Sequence, residues 1–221
     1  MGNINKDAIK ANAEKRKREI YTPVVPEMQL GFIHNNVDCI GCRACEIACK
    51  DKNGLAAGPR FRRVQYVEGG TYPEVFAFKI NMSCNHCAEP ACLPVCPTGA
   101  IFKRADNGVV DIDSTLCIGC RKCEAACPFG APQFDPVENI VKKCNMCIDE
   151  LEAGRDPYCV AACMMRVLDI GPLAEIDAGT HETKAVGPNE TLVRQVKSMA
   201  SPELTNPSIR FVPHSKGRVD G

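Results

Sequence analysis

The sequence has no tryptophan, and aromatic residues make up only 5% of its 221 positions. A conventional apolar core built on large rings would be thin, so another element is expected to hold the interior together. Charge of either sign is not in excess: 27 basic residues balance 27 acidic ones, and a nucleic-acid binder would show a basic surplus. Uninterrupted apolar stretches of about 18 residues are missing too, so the chain is not expected to span a membrane by itself. Lys15, Arg16, Lys17 and Arg18 form a basic run near the amino terminus. No apolar segment follows it, so export on a signal of its own is not expected. Gly-rich phosphate loops and nucleophile motifs are absent, and His34, His181 and His214 are scattered. No catalytic constellation is expected.

What the chain has is 16 cysteines. They fall into four groups: Cys39, Cys42, Cys45, Cys49; Cys84, Cys87, Cys92, Cys96; Cys117, Cys120, Cys123, Cys127; and Cys144, Cys147, Cys159, Cys163. The first and third read C-x2-C-x2-C-x3-C, the bacterial ferredoxin spacing for [4Fe–4S] cubanes. The second widens its middle gap to x4 and the fourth to x11. Three thiols so close in sequence let one tight loop wrap three corners of a cube. Gly41 and Gly119 allow the positive φ and close backbone approach such a loop needs. The fourth cysteine of each group is expected on the following helix, facing the neighbouring cluster. Sixteen thiolates predict four [4Fe–4S] clusters. Zinc is the first rival, but it prefers two C-x2–4-C pairs around one tetrahedral ion over closed triple runs. Disulfides are the second, and neither the spacing nor the amino terminus suits a secreted scaffold.

The expected fold is α+β: two bacterial-ferredoxin-like modules of short hairpins and short helices around cubanes, with extended terminal arms. Residues 1–28 read as an arm, with a charged helix from Lys6 to Glu19 and an extended piece at Pro23 and Pro26. Residues 29–38 read as a strand and Glu46 to Lys52 as a helix. Arg60–Val67 and Val75–Met82 read as strands split by a turn at Gly69–Gly70. The second cysteine group, punctuated by Pro90, Pro94 and Pro97, reads as loop. GAIFKR and VVDID flank Asp106-Asn107-Gly108, a strong hairpin signal. Asp149–Asp156 reads as a helical turn ended by Gly154 and Pro157, and Val167–Ile170 as a last strand. Thr191–Met199 is expected to be helical. Ser201–Pro213 is expected to be extended, in a tail either disordered or laid across another subunit.

CIGCRACEIAC at 39–49 and CIGCRKCEAAC at 117–127 agree at nine of eleven positions, and the second and fourth groups open CNHC and CNMC. The chain therefore reads as a duplicated half. Because the hairpin joins groups two and three, the preferred assignment is nested. It gives clusters on Cys39, Cys42, Cys45 and Cys163; on Cys49, Cys144, Cys147 and Cys159; on Cys84, Cys87, Cys92 and Cys127; and on Cys96, Cys117, Cys120 and Cys123. Pairing one with two and three with four is the open alternative. Pro97 and Pro128 follow the last cysteines of groups two and three, whereas Lys50 and Met164 take that place in the other two, a weak sign for nesting. The corresponding domains are 1–28, an arm; 29–79 plus 136–171, a first module; 80–135, a second; and 172–221, a partner-binding tail. Arg43, Lys50, Arg121, Lys122, Lys142 and Lys143 adjoin cysteines and could offset cluster charge, although each singly reads as a surface cation. His86, between Cys84 and Cys87, reads as a loop histidine or a donor to cluster sulfur.

The segments FRRV, SCNHCAEPAC, VCPTGAIFKR, CIGCRKCEAACPFGAPQF, VLDIGP and PELTNPSIRFVPH resemble the iron–sulfur (beta) electron-transfer subunits of the molybdopterin oxidoreductase family, and within it the dimethyl sulfoxide reductase type. The likeness covers roughly 29–214. Nitrate reductase beta subunits carry a tryptophan at the position of Cys120, so the cysteine here implies a fourth cubane. The resemblance also implies the nested pairing and a non-catalytic relay of single electrons. One end would meet a large molybdopterin (Mo or W) catalytic subunit, and the other a quinone-linked membrane anchor or other redox carrier. The first module would lie nearer the catalytic subunit. The expected location is cytoplasmic, or outside the cytoplasmic membrane after folded export with a signal-bearing partner. A free-standing soluble polyferredoxin is the alternative.

Overall fold

The computed structural model describes residues 29–219; the expected amino-terminal arm, 1–28, lies outside them. Its centre is a three-stranded sheet, β8-β1-β9. β1 (Leu30–Asn35) pairs antiparallel with β8 (Leu168–Pro172), placing Phe32 opposite Ile170, and parallel with β9 (Ile209–Val212), placing Phe32 opposite Ile209. Being central, β1 is buried on both faces. Phe32 joins the main core with Phe78, Ile80, Met146, Ile209 and Phe211, while Ile33 joins a smaller one with Ile176 and Ala185.

Three hairpins surround the sheet: β2 (Arg63–Thr71) with β3 (Glu74–Met82), β4 (Ile101–Lys103) with β5 (Val110–Ile112), and β6 (Gln133–Asp135) with β7 (Ile140–Lys142). Ile101, Val110 and Val141 close a second apolar cluster around Cys92 and Cys123. The helices are short: α1 (Ala44–Lys52), α2 (Lys122–Ala126), α3 (Ile148–Glu152), α4 (Tyr158–Ala161) and α5 (Leu173–Ala178).

The expected strands near 29–38, 60–67, 75–82 and 167–170, the helix after the first loop, the 149–156 turn and the Asp106-Asn107-Gly108 hairpin are all present. Four expectations are corrected. The β2–β3 turn is Tyr72-Pro73, with a cis peptide, and Gly69 and Gly70 lie within the ladder opposite Phe76 and Val75. Gly69 lets the Phe76 ring come close, since a Cβ there would stand 2.8 Å from it. Residues 191–199 form no helix: Val193 pairs its backbone with Phe211, and Val196 is fully buried. Of the fourth cysteines, only Cys49 lies inside a helix; Cys127 caps the end of Lys122–Ala126, Cys163 comes two residues after Tyr158–Ala161, and Cys96 follows a turn. The last stretch, expected to be disordered or laid on another subunit, contributes β9 to this protein's own sheet.

Phe211 has no exposure. Phe211→Ala is therefore expected to cost about 3–5 kcal/mol, read as a lower midpoint in anaerobic denaturant unfolding. An unchanged midpoint would mean that β9 is not part of the folded core.

Candidate metal centres

The internal repeat is visible in the backbone. In the first and third cysteine loops Gly41 and Gly119 have φ of +73° and +65°, and Arg43 and Arg121 follow at 62° and 59°. In the second and fourth, His86 and Met146 take the corresponding left-handed positions at 42° and 60°. The conformation brings backbone amides to face sulfur. Val141 N–H donates to Cys117 Sγ at 3.4 Å, Met146 N–H to Cys144 Sγ at 3.4 Å and Ala131 N–H to Cys127 Sγ at 3.5 Å. Amides of Gly41 and His86 do the same for Cys39 and Cys84.

Thiols from distant groups come together. One cavity is lined by Cys84, Cys87, Cys92 and Cys127, with Pro90, Phe129 and Ala131 among its apolar walls. A second is lined by Cys96, Cys117, Cys120 and Cys123, with Ile101, Ile112 and Val141. The remaining eight thiols meet where α1 packs on α4. Cys39 and Cys45 have Cys163 as electrostatic neighbour, and Cys49 has Cys144, Cys159 and Cys147. Two further contacts link these groups: Cys159 neighbours Cys45, and Cys84 neighbours Cys144. Cys42 and Cys120 are exposed. Exposed Ile40 lies two residues before the first and exposed Ile118 two residues before the second.

The donor chemistry fits an iron–sulfur group. Burial pushes the Cys92 thiol up to about 12, with its neighbour Cys84 adding to the effect. Burial likewise raises Cys84 to about 12, and Cys123 and Cys147 to about 11. Such thiols ionise only against a metal centre. Cys96 is the exception: burial opposes ionisation, but hydrogen bonds from the Thr98 hydroxyl and the amides of Ile101, Thr98 and Ala100 bring its pKa below the usual thiol value. Among the described residues, no three His, Cys, Asp or Glu side chains converge closely enough to hold a single ion.

Two buried side chains add idle donors. Val110 N–H donates to His86 Nδ1 at 3.0 Å, so the ring proton is on Nε2, which is buried without a partner. Burial first, then Lys143, Lys103 and Arg62, lower the His86 pKa well below its ordinary value, and the ring stays a neutral N–H donor. Arg62 is 1% exposed, with Nε and Nη2 unpartnered. Sequence reasoning did not single it out. FRRV contains two arginines, and only the fold shows that Arg62 is the one turned inward.

Of the six basic residues expected beside the thiols, five are surface groups. Arg43 and Arg121 lie over Tyr66 and Phe134, and Lys50 bonds the Pro59 carbonyl at 3.2 Å. Lys142 pairs with Asp135 at 2.9 Å, and Lys122 is exposed. Lys143 alone is buried, at 5%. His34 is buried and its pKa falls to about 3, through burial and then the charge of Arg62. His181 pairs with Asp169 and His214 stacks on Phe78, and a surface groove along Arg43, Arg60, Arg63 and Tyr66 contains no cysteine.

Residues 75–173 match a family described as a 4Fe-4S dicluster domain. Over 201 residues the sequence is 39% identical to the B component of anaerobic dimethyl sulfoxide reductase from Escherichia coli K12, covering 87% of this protein and 93% of that one. It is 40% identical over 171 residues to the B component of sulfite dehydrogenase from Allochromatium vinosum, covering 68% and 71%. Over 148 residues it is 38% identical to protein NrfC of E. coli K12, covering 66% of each.

A Cβ on Gly119 would stand 2.3 Å from the Asn139 carbonyl oxygen, whereas one on Gly54, also at positive φ, meets nothing within 4 Å. Gly119→Ala is expected to lower the iron retained after anaerobic reconstitution and gel filtration, and Gly54→Ala to leave it intact. Equal iron in both variants would remove the loop geometry from the account.

Proposed function

The protein belongs to the family of dimethyl sulfoxide reductase iron–sulfur subunits and contains a 4Fe-4S domain; from that premise we propose that it carries four [4Fe–4S] clusters and relays single electrons without substrate chemistry of its own. One proposed end meets a large molybdopterin catalytic subunit holding Mo or W, and the other a quinone-linked membrane anchor or another redox carrier. The proposed ligand sets are Cys39, Cys42, Cys45 and Cys163; Cys49, Cys144, Cys147 and Cys159; Cys84, Cys87, Cys92 and Cys127; and Cys96, Cys117, Cys120 and Cys123. The proposed modules are 29–79 with 136–171, and 80–135.

The observation that carries this reading is the gathering of thiols from separate cysteine groups, four around each of two cavities. Each cluster, when bound, supplies a one-electron couple whose potential follows its hydrogen bonds, net charge and solvent exposure. The protein's own part is to hold the sulfurs, exclude water and aim donors. Amides of the cysteine loops face Cys39, Cys84 and Cys144, that of Val141 in β7 faces Cys117, and that of Ala131 faces Cys127. Asn81 Nδ2 donates to Cys45 Sγ at 3.2 Å. The apolar side chains around Cys42 and Cys120 suit docking at both ends, where a partner must exclude water to bring its own redox centre near. Nearer the catalytic subunit we place the end at Cys42, in line with the family likeness. No helix among the described residues is long and apolar enough to cross a membrane, so a separate anchor would supply any membrane contact.

Anaerobic preparations are expected to bind about sixteen irons per chain, four per cubane, and to co-purify with a large pterin subunit. Cys39→Ser and Cys163→Ser are expected to abolish the same electron paramagnetic resonance signal, despite their separation in sequence. Loss of different signals would overturn the nested sets. A stable brown monomer would favour a free-standing polyferredoxin, and a colourless zinc protein would end the proposal.

A further inference from the structure

Three arginine or lysine side chains are buried among the described residues: Arg62, Lys143 and Arg210. Arg210, 6% exposed, pairs with Asp177 at 2.7 Å. The other two have no carboxylate partner, and both stand where two proposed thiol sets adjoin.

Arg62 Nη1 donates to Asn81 Oδ1 at 3.1 Å, and Asn81 Nδ2 in turn donates to Cys45 Sγ at 3.2 Å. Its guanidinium carbon lies 4.4 Å from the Phe32 ring centroid. Nε and Nη2 have no partner. The groups around it are Cys159, Cys144, Cys45 and Cys49, with neutral His34 nearby. One of those four thiols belongs to the Cys39 set and three to the Cys49 set. Lys143, 5% exposed, donates to the Cys144 carbonyl at 2.9 Å and to that of Val110. Cys84 and Cys92 of the next set are its electrostatic neighbours, and Cys144 of the Cys49 set is its peptide neighbour. Leaving a desolvated guanidinium or ammonium without an anion costs several kcal/mol. The fold accepts this at two places, and an anionic cluster on each side would offset it.

We propose that Arg62 and Lys143 are fixed counter-charges at successive junctions of the relay, each shared by two clusters and raising the reduction potential of both. The inference rests on the function proposed above. A cluster gains negative charge when reduced, so a cation held beside it in low dielectric favours the reduced form. Neutralising Arg62 should therefore lower the midpoints of the Cys39 and Cys49 sets together. Neutralising Lys143 should lower those of the Cys49 and Cys84 sets. Neither cation is among the main electrostatic neighbours of Cys96 and Cys123, so the set on Cys96, Cys117, Cys120 and Cys123 serves as the internal reference.

The test is a potentiometric titration of the purified holo-complex, followed by electron paramagnetic resonance, with signals assigned by the cysteine variants. R62Q is expected to retain its iron and to disfavour reduction at its two clusters by about tenfold, which is about 59 mV for one electron. K143Q is expected to do the same at its own pair, and the reference cluster should stay fixed in both. Where a neutral variant loses iron at its junction, R62K or K143R decides: iron regained with near-native midpoints supports a charge role, and iron lost again overturns it. Full iron with unmoved midpoints in R62Q or K143Q also overturns the proposal, while leaving the relay itself standing. A wild-type chain without clusters would defeat the relay first.

Discussion

A thiol buried in apolar surroundings resists ionisation, and this protein buries most of its sixteen. The rest of the structure answers that constraint. Positive-φ positions at Gly41, His86 and Met146 turn their amides toward sulfur. Two cations without carboxylate partners stand among the thiols instead of at the surface. The thin supply of aromatic side chains ceases to be a weakness, because the interior the rings do not fill is lined with cysteine.

The central sheet explains how distant cysteines meet. β1 leads into the first cysteine loop, and β8 follows Cys163 directly. Their antiparallel pairing therefore brings the ends of the first and fourth groups to one place. α1 then presents its two thiols to different partners. Cys45 and Cys49 are one helical turn apart yet have different neighbours, Cys163 for the first and Cys144 for the second. The hairpin of β4 and β5 does the equivalent work between groups two and three.

Much of this could be read from residue spacing. The ferredoxin-like runs and the Asp106-Asn107-Gly108 turn each follow a local rule. What stayed hidden depended on contacts far away in sequence. Residues 191–199 carry a helix-compatible pattern, but their backbone groups find Phe211 and Gly217, and tertiary pairing overrides propensity. Gly69-Gly70 is a good turn signal that lost to Tyr72-Pro73 because Phe76 needs the space over Gly69. Arg62 looked like any strand-edge arginine beside Arg63. Its burial depends on Phe32, Asn81 and four cysteines spread over a hundred residues, which no local pattern encodes.

The wide separation of Cys39, Cys42 and Cys45 from Cys163 has a biosynthetic consequence. Those three are the first thiols to leave the ribosome, yet the residue proposed to complete their ring is the last cysteine translated. On the proposed assignment, a metal seated on the nascent segment would have an open corner through most of synthesis. Maturation of that set would then wait for the whole cysteine-bearing region to emerge, and a polypeptide truncated before Cys163 would forfeit the set encoded first.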